Sequence, residues 1–153
     1  MQRKSQEIII REIPYSPKSG KISYDRPHKR EQHELDFVEI LARFGSDIIL
    51  IKPSITRGIN TPDCEWRGKM WEIKSIMSMK TDNLTGLLKV AFKQSGNVIL
   101  DLSKSKTSIN DMITEVVKYF NNPKNKHGIM NHEIMVVDKQ KYCIINKKML
   151  KSK

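Results

Sequence analysis

The sequence predicts an α/β fold in which helices flank a mixed β-sheet. Three observations lead to this prediction: a length of 153 residues that suits one domain, apolar stripes at helical spacing, and short continuous apolar runs typical of buried strands. In chain order the predicted elements are a helix, three strands, a helix, a strand, a helix and two strands. This order is typical of helices packed on a sheet rather than of a bundle or a solenoid.

The first helix is predicted over residues 31–44. Phe37 and Leu41 belong to one apolar stripe on a helical wheel, and Gly45 supplies the C-cap. Glu34 falls inside this stripe, one turn before Phe37, where burying an unpaired carboxylate would be expensive. Glu34 is therefore expected either at the edge of the core or in a functional site.

The later elements are predicted from the same two kinds of pattern. The first strand is an unbroken row of isoleucine and leucine, as expected for a strand covered on both faces. The predicted elements are a strand over 46–51, two short strands meeting at Arg67-Gly68, a helix over 84–94 weakened by Gly86, a strand over 98–102, a helix over 109–120 and a hairpin of 134–137 with 142–145.

The composition favours an anionic partner. The chain has 28 Lys and Arg against 17 Asp and Glu, a formal net charge of +11 at pH 7, which suits nucleic acid, an acidic protein or an anionic membrane surface. No apolar run approaches the roughly 20 residues of a membrane-spanning helix. The first residues are polar rather than signal-like. Two distant cysteines, Cys64 and Cys143, exclude a zinc finger and a disulfide framework.

Residues 1–30 are expected to form a basic N-terminal arm, followed by the main domain over 31–153. Prolines and interspersed basic residues over 15–30 are typical of a surface segment. Two interpretations stay open for this arm. It either contacts substrate phosphates or is a solvated lead-in.

The most informative stretch is the predicted hairpin around Arg67-Gly68. If these two residues form the turn, with Gly68 at positive φ, then Cys64 lies opposite Trp71 and Asp63 lies opposite Glu72. Because side chains alternate along a strand, each strand presents one polar and one apolar set. The side chains expected on the polar face are Asp63, Glu65, Glu72 and Lys74, and those expected in the core are Cys64, Trp66, Trp71 and Ile73.

Opposed carboxylates on a sheet repel each other and should destabilise it. A divalent cation reverses this effect, because Mg²⁺ is commonly held by one or two carboxylates with water and substrate phosphate. Lys74, two residues after Glu72, could orient a water or stabilise developing charge. Asp63, Glu72 and Lys74 therefore predict metal-assisted phosphodiester hydrolysis. The alternative is a solvated hairpin face on which Glu72 and Lys74 form a surface pair worth little.

Pro62-Asp63 followed by Glu72-Ile73-Lys74 resembles the PD-(D/E)xK nuclease signature. The wider string, over roughly residues 31–138, resembles the C-terminal tRNA-nuclease toxin domain of contact-dependent growth inhibition proteins and related polymorphic toxins. The residues that carry the resemblance are His33-Glu34, Leu41-Ala42, Gly45, residues 48–51, Pro62-Asp63, residues 71–75, residues 93–95 and residues 99–102.

This resemblance implies a restriction-endonuclease-like αβββαβ core, here followed by a C-terminal helix and a hairpin. It also implies divalent-metal-dependent cleavage of nucleic acid. Asp63 and Glu72 would ligate the metal, which is Mg²⁺ or alternatively Mn²⁺ or another divalent ion. Lys74 would be the catalytic lysine, and Glu34 the helix-borne acid that completes the site.

Basic residues on the second predicted helix are candidates for substrate binding. Lys89 and Lys93 are spaced i, i+4 on one face, with Gln94 beside them. Like charges at this spacing are unfavourable unless an anion lies between them, which favours phosphate contacts over an ordinary solvated face. His33 is a weaker candidate as an acid or base, since a histidine near a helix start is more often a capping or surface residue.

The resemblance also implies partners and a place of action. The expected substrate is RNA, with tRNA favoured, in the cytoplasm of a target cell reached as part of a larger secreted or surface protein. A cognate immunity protein is expected, and an acidic one would suit the positive charge. No membrane partner is expected, and the oligomeric state stays open. The alternatives are a DNA endonuclease of the same fold and a non-catalytic, basic nucleic-acid-binding protein.

Overall fold

The computed structural model describes residues 8–78, 83–125 and 132–150. These residues form eight strands, three α-helices and one 3₁₀ helix. They are β1 (Arg11–Glu12), β2 (Ile22–Tyr24), α1 (Gln32–Ala42), β3 (Ile48–Leu50), β4 (Cys64–Trp66), β5 (Lys69–Ser75), α2 (Leu84–Gln94), β6 (Asn97–Asp101), α3 (Ile109–Asn121), β7 (Glu133–Val137), β8 (Lys141–Asn146) and a final 3₁₀ helix (Lys147–Leu150).

In this part of the chain the strands form one eight-stranded mixed sheet in the order β1-β8-β7-β6-β5-β4-β3-β2. Strands β5, β6 and β7 are parallel, whereas β4–β5 and β7–β8 are antiparallel hairpins. From α1 onward the order is αβββαβ followed by a helix and a hairpin. The predicted α/β fold is therefore confirmed. No helix among the described residues has the length and apolarity needed to cross a membrane.

Helices cover both faces of the sheet and make two apolar cores. Helix α1 packs on one face, and α2 and α3 pack on the other. The strand alternation divides the central strands between these cores, as the period of two requires. The α1 core includes Phe37, Leu41, Leu50, Trp66, Ile99 and Met135, and the opposite core includes Leu88, Val98, Leu100, Met112, Val136 and Ile145.

The β4–β5 hairpin has the predicted turn and register. Arg67 and Gly68 form the turn with φ values of 54° and 77°, which is the conformation of a type I′ hairpin turn. Cys64 lies opposite Trp71, and Trp66 is buried with both in the α1 core. The hairpin therefore presents these apolar side chains to the α1 core.

Helix α2 begins and ends where the sequence predicts, in spite of Gly86. The Asn83 side chain caps the helix by accepting a 3.1 Å hydrogen bond from the Gly86 N–H. Gly86 therefore lies in the first turn, where the cap compensates for a poor helix former. Its expected weakening effect is confined to the helix end.

The N-terminal segment differs from the predicted surface arm. Strand β1 pairs with β8 and β2 pairs with β3, so the segment provides both edges of the sheet. Ile13 is only 6% exposed, and its N–H donates to the carbonyl of Gln140. Between the two strands the chain passes the end of α1, where Gly20 donates a hydrogen bond to the carbonyl of Ala42. Burial of Ile13 and satisfaction of backbone groups explain the ordered path. Residues 1–7 of the arm lie outside the described residues.

Candidate active site

A cleft of about 280 Å³ lies between the N-terminal half of α1 and the β4–β5 region. Its lining includes residues from the segment before α1, from the α1 helix, from the end of the β3–β4 loop, and from β5 and β6. All four side chains predicted to be catalytic line this cleft: Glu34, Asp63, Glu72 and Lys74. The structure brings them together, and their chemical roles stay predictions.

Asp63 is fixed in place through its backbone and its side chain. Its N–H donates to the carbonyl of Trp71 at 2.9 Å, and its carbonyl accepts from the N–H of Ile51 at 2.9 Å. Its carboxylate oxygen Oδ2 accepts from the N–H of Ile73 at 2.8 Å. Asp63 thus extends the β4–β5 pairing and holds its carboxylate beside β5.

Glu72 is buried beside Asp63 and Lys74. It is 6% exposed, and its Oε2 lies 3.2 Å from Nζ of Lys74. Burial, together with the charge of Asp63 and a hydrogen bond to its side chain, raises the pKa of Glu72 to about 7, although Lys74 acts in the opposite direction. The carboxyl of Glu72 therefore sits in a poorly solvated place beside that of Asp63. The regular pairing of β4 with β5 ends at Cys64 and Trp71, so Asp63 directly opposite Glu72 stays a prediction.

Asp63 and Glu72 fit a divalent cation of the Mg²⁺ type. A buried carboxyl that resists ionisation beside another carboxylate is stabilised when a cation joins the pair. No group of three or more His, Cys, Asp or Glu side chains suited to a metal occurs in residues 8–78, 83–125 and 132–150. The protein would supply two carboxylates, which is the donor set that Mg²⁺ accepts when water and phosphate complete its shell.

Glu34 lies at the rim of this cleft. Its side chain is 39% exposed and its Oε2 lies 3.2 Å from Nη1 of Arg30. The position on the first turn of α1 explains both the exposure and the orientation toward the cleft. Glu34 was expected either at the edge of the core or in a functional site. The structure satisfies both expectations, because the candidate site lies at the edge of the core.

Arg30 lines the cleft although no sequence pattern marked it as a candidate site residue. Its side chain is 8% exposed, and Nη1 donates to Oδ1 of Asp63 at 3.0 Å and to Glu34. Nη2 donates to the carbonyls of Asp63, at 3.1 Å, and of Ile51. Burial alone would lower the pKa of Arg30, but its hydrogen bonds and charge interactions with Asp63 and Glu34 raise it overall. The one sequence signal was the i, i+4 spacing of Arg30 and Glu34.

A second cavity of about 340 Å³ continues the cleft along the ends of β5 and β6. The two cavities share His33, Ser75 and Asp101. The carboxylate of Asp101 already makes local hydrogen bonds, because its oxygens accept from the Ser75 hydroxyl and the Ser103 N–H. Lys104 lines the far part, so the cleft carries a cation beyond the carboxylates.

The residues predicted to bind nucleic acid lie elsewhere. Lys89, Lys93 and Gln94 are on α2, and none of the three lines either cavity. Both lysines are exposed, because the helix turns Leu88 and Ala91 toward the core. Their contact with nucleic acid stays a prediction and would involve a surface separate from the cleft.

Both cysteines are buried, as the hairpin alternation predicts for Cys64. Burial raises the pKa of the Cys64 thiol to about 12, with a further contribution from the charge of Asp63. Burial likewise raises the pKa of Cys143 to about 12. Both thiols therefore stay neutral near pH 7 and lack the reactivity of a nucleophilic cysteine.

The sequence matches the model of one protein family over more than half of its length. Residues 60–141 match the model of the contact-dependent growth inhibition CdiA C-terminal domain, which is more than half of the chain. The chain belongs to this family and is a toxin domain of contact-dependent growth inhibition.

One solved structure has a similar fold, the CdiA-CT/CdiI toxin and immunity complex from Burkholderia pseudomallei. Its matching chain has a TM-score of 0.53 and 19% sequence identity, with 81% of this chain and 98% of that chain covered. At this identity the similarity concerns the fold alone. No curated protein sequence matches this chain.

Proposed function

We propose that this toxin domain is a metal-dependent nuclease of the PD-(D/E)xK type that hydrolyses phosphodiester bonds of RNA, with tRNA as the favoured substrate. The observation that carries the proposal is the placement of Asp63, Glu72 and Lys74 in one cleft, with Lys74 Nζ 3.2 Å from the Glu72 carboxylate. A solvated hairpin face would leave Glu72 exposed, whereas this carboxyl is buried beside a second one.

Each residue has a distinct proposed task. Asp63 and Glu72 hold Mg²⁺, with Mn²⁺ or another divalent ion as the alternative. When bound, the ion supplies Lewis-acid polarisation of a phosphate oxygen and a more acidic water. Lys74 provides a positive charge for the negative charge that develops on the phosphate. Glu34, across the cleft from β5, completes the acidic site.

The substrate class follows from charge and family. A net charge of +11 favours a polyanion, because neutralising phosphates releases counterions. The cleft chemistry suits the phosphodiesters of RNA and DNA alike, so the preference for tRNA depends on the resemblance to tRNA-nuclease toxin domains. Action in the cytoplasm of a target cell, after delivery within a larger protein, belongs to the same proposal.

We also propose a cognate immunity protein as a partner. The solved structure with the similar fold is a toxin and immunity complex. A positively charged surface associates fastest with an acidic one, since complementary charge steers encounter. An acidic immunity protein would therefore suit this toxin domain.

The test is incubation of the purified chain with total tRNA and, separately, plasmid DNA, in Mg²⁺ or in EDTA. Asp63→Asn and Lys74→Met should each lower cleavage by at least about 100-fold. Glu65→Gln is the matched control, because Glu65 is an exposed acid on the same hairpin. Metal-dependent loss of tRNA alone would support the proposal.

Other outcomes have separate meanings. Cleavage of plasmid rather than tRNA would make the enzyme a DNA endonuclease with the same site. Salt-sensitive binding without cleavage, unchanged in Asp63→Asn, would overturn the nuclease proposal and favour a non-catalytic nucleic-acid-binding protein.

A further inference from the structure

The guanidinium of Arg30 lies among the carboxylates of the cleft, where a bound metal ion would also lie. We propose that Arg30 is a positioning residue that serves as an internal counter-cation: it neutralises Asp63 and Glu34 when no metal is bound and competes with the metal for Asp63. This inference depends on the proposed function, because it assumes that Asp63 is a metal ligand.

The contacts of Arg30 are those of a fully engaged guanidinium. Nη1 bridges Asp63 and Glu34 at 3.0 and 3.2 Å, and Nε donates to Nε2 of His28 at 3.0 Å. Such charge-assisted hydrogen bonds are among the strongest in proteins, and the planar fork fixes their geometry. A side chain only 8% exposed has little water with which to replace these partners.

The competition follows because both oxygens of the Asp63 carboxylate already accept hydrogen bonds. Its Oδ1 accepts from Arg30 and its Oδ2 accepts from the Ile73 N–H. A metal approaching Asp63 therefore meets a carboxylate whose charge is already partly neutralised. It also meets the positive charge of Arg30 within a few ångströms, which repels it.

The balance of charge in the cleft explains why a counter-cation is needed. Four carboxyls line the cleft, those of Glu34, Asp63, Glu72 and Asp101. The cations that pair with the first three are Arg30 and Lys74. Without Arg30, Asp63 and Glu34 would lose the cation that pairs with them, beside a third carboxyl, Glu72, that is only 6% exposed. Unpaired charges there would be expensive.

Arg30 also has a structural role that an experiment must separate from its charge. Its Nη2 donates to the carbonyls of Ile51 and Asp63, which closes the base of the β3–β4 loop. Two variants distinguish the roles. Arg30→Gln removes the charge and keeps amide donors, whereas Arg30→Lys keeps the charge and loses the planar fork.

The experiment is calorimetric titration of metal-free protein with Mg²⁺, and with Mn²⁺ as a second probe. Arg30→Gln should bind the ion about three- to tenfold more tightly than wild type, because a nearby positive charge is removed. Arg30→Lys should stay within about twofold of wild type if charge is the cause. Arg11→Gln is the control, since Arg11 is exposed on the edge strand β1, and it should bind as wild type does.

A second measurement uses the wild-type protein, so it tests the inference even if Arg30→Gln does not fold. In NMR spectra, rotation of the Arg30 guanidinium should be slow in EDTA and at least about fivefold faster with saturating Mg²⁺, because Asp63 exchanges part of its pairing for the ion. No change in this rate would overturn the inference.

Failure of the inference is distinct from failure of the proposed function. Wild-type binding of Mg²⁺ with equal or weaker binding by folded Arg30→Gln would overturn the counter-cation role and leave the metal site standing. Absence of binding by wild type and Arg30→Gln alike would overturn both.

Discussion

The carboxylate of Asp63 accepts a 2.8 Å hydrogen bond from the backbone N–H of Ile73. Ile73 lies between Glu72 and Lys74 in the chain, so this one bond anchors the first half of the proposed catalytic motif to the second half. The anchor belongs to the backbone and does not depend on a rotamer of β5. Changes of side chain on β5 should therefore leave Asp63 in position.

Asp63→Asn should reduce cleavage strongly while the protein still folds. Asparagine keeps an oxygen that can accept from the Ile73 N–H, but it loses the charge paired with Arg30. We expect cleavage to fall by at least about 100-fold, and the free energy of unfolding to fall by about 1–3 kcal/mol. Cleavage assays and chemical denaturation measure the two effects. Near-normal cleavage by this variant would contradict the metal-ligand role.

The pH dependence of stability should reflect the titration of the Glu72 carboxyl. Its pKa is raised from 4.5 to about 7 in the folded protein, so the folded state holds this proton more tightly than the unfolded state does. The resulting stabilisation is complete below about pH 4.5 and is lost as the pH rises to about 7.

In EDTA, Glu72→Gln should therefore gain stability relative to wild type across that range, by about 3 kcal/mol above pH 7. Thermal unfolding of both proteins from pH 4 to 8 gives the difference. Glu65→Gln should instead follow wild type. A difference between Glu72→Gln and wild type that does not vary with pH would show that Glu72 titrates normally.

Lys74→Met should abolish cleavage and shift the Glu72 titration. Lys74 opposes the rise in the pKa of Glu72, so its removal should raise that pKa further and move the pH-dependent loss of stability upward. Activity should fall by at least about 100-fold. Lys69→Met is a suitable control because Lys69 is on the same strand but pairs with Glu133 at 2.9 Å. Comparable loss of activity in that control would point to general damage to β5.

Gly68→Ala should weaken the hairpin that carries the site. Gly68 has φ of 77°, and no atom lies within 4 Å of an added Cβ, so the cost is backbone strain of about 1–2 kcal/mol. The midpoint of denaturant unfolding checks this value. Gly86→Ala, at a helical position with ordinary φ and room for a Cβ, should be neutral or stabilising. Equal effects at both glycines would contradict the positive-φ argument.

The α2 lysines offer a test of a second basic surface. If Lys89 and Lys93 each contact a phosphate, replacing both with Met should weaken binding of RNA. The slope of log affinity against log salt should become shallower by about 1.5. Lys141→Met, at an exposed position on β8, is the control. An unchanged slope in the double variant would make the α2 face an ordinary solvated surface.

The local patterns in the sequence were enough to predict the central elements and the hairpin register. Arg67-Gly68 and the alternation of Cys64, Trp66 and Trp71 predict the register that places Cys64 opposite Trp71. Strands of two and three residues, such as β1 and β2, show no period of two, so the edges of the sheet could not be predicted. Arg30 pairs with a residue 33 positions away, and no local periodicity contains that contact.

The placement of β1 and β2 at opposite edges has a consequence for truncation. The two strands are close in sequence, yet they lie at opposite edges of the sheet. Removing the first 24 residues would therefore strip the hydrogen-bonding partners from β8 and β3 together. Both uncovered strands would present free backbone groups to other molecules, which is a known route to aggregation. The short segment before α1 thus protects the domain against self-association at both ends of its sheet.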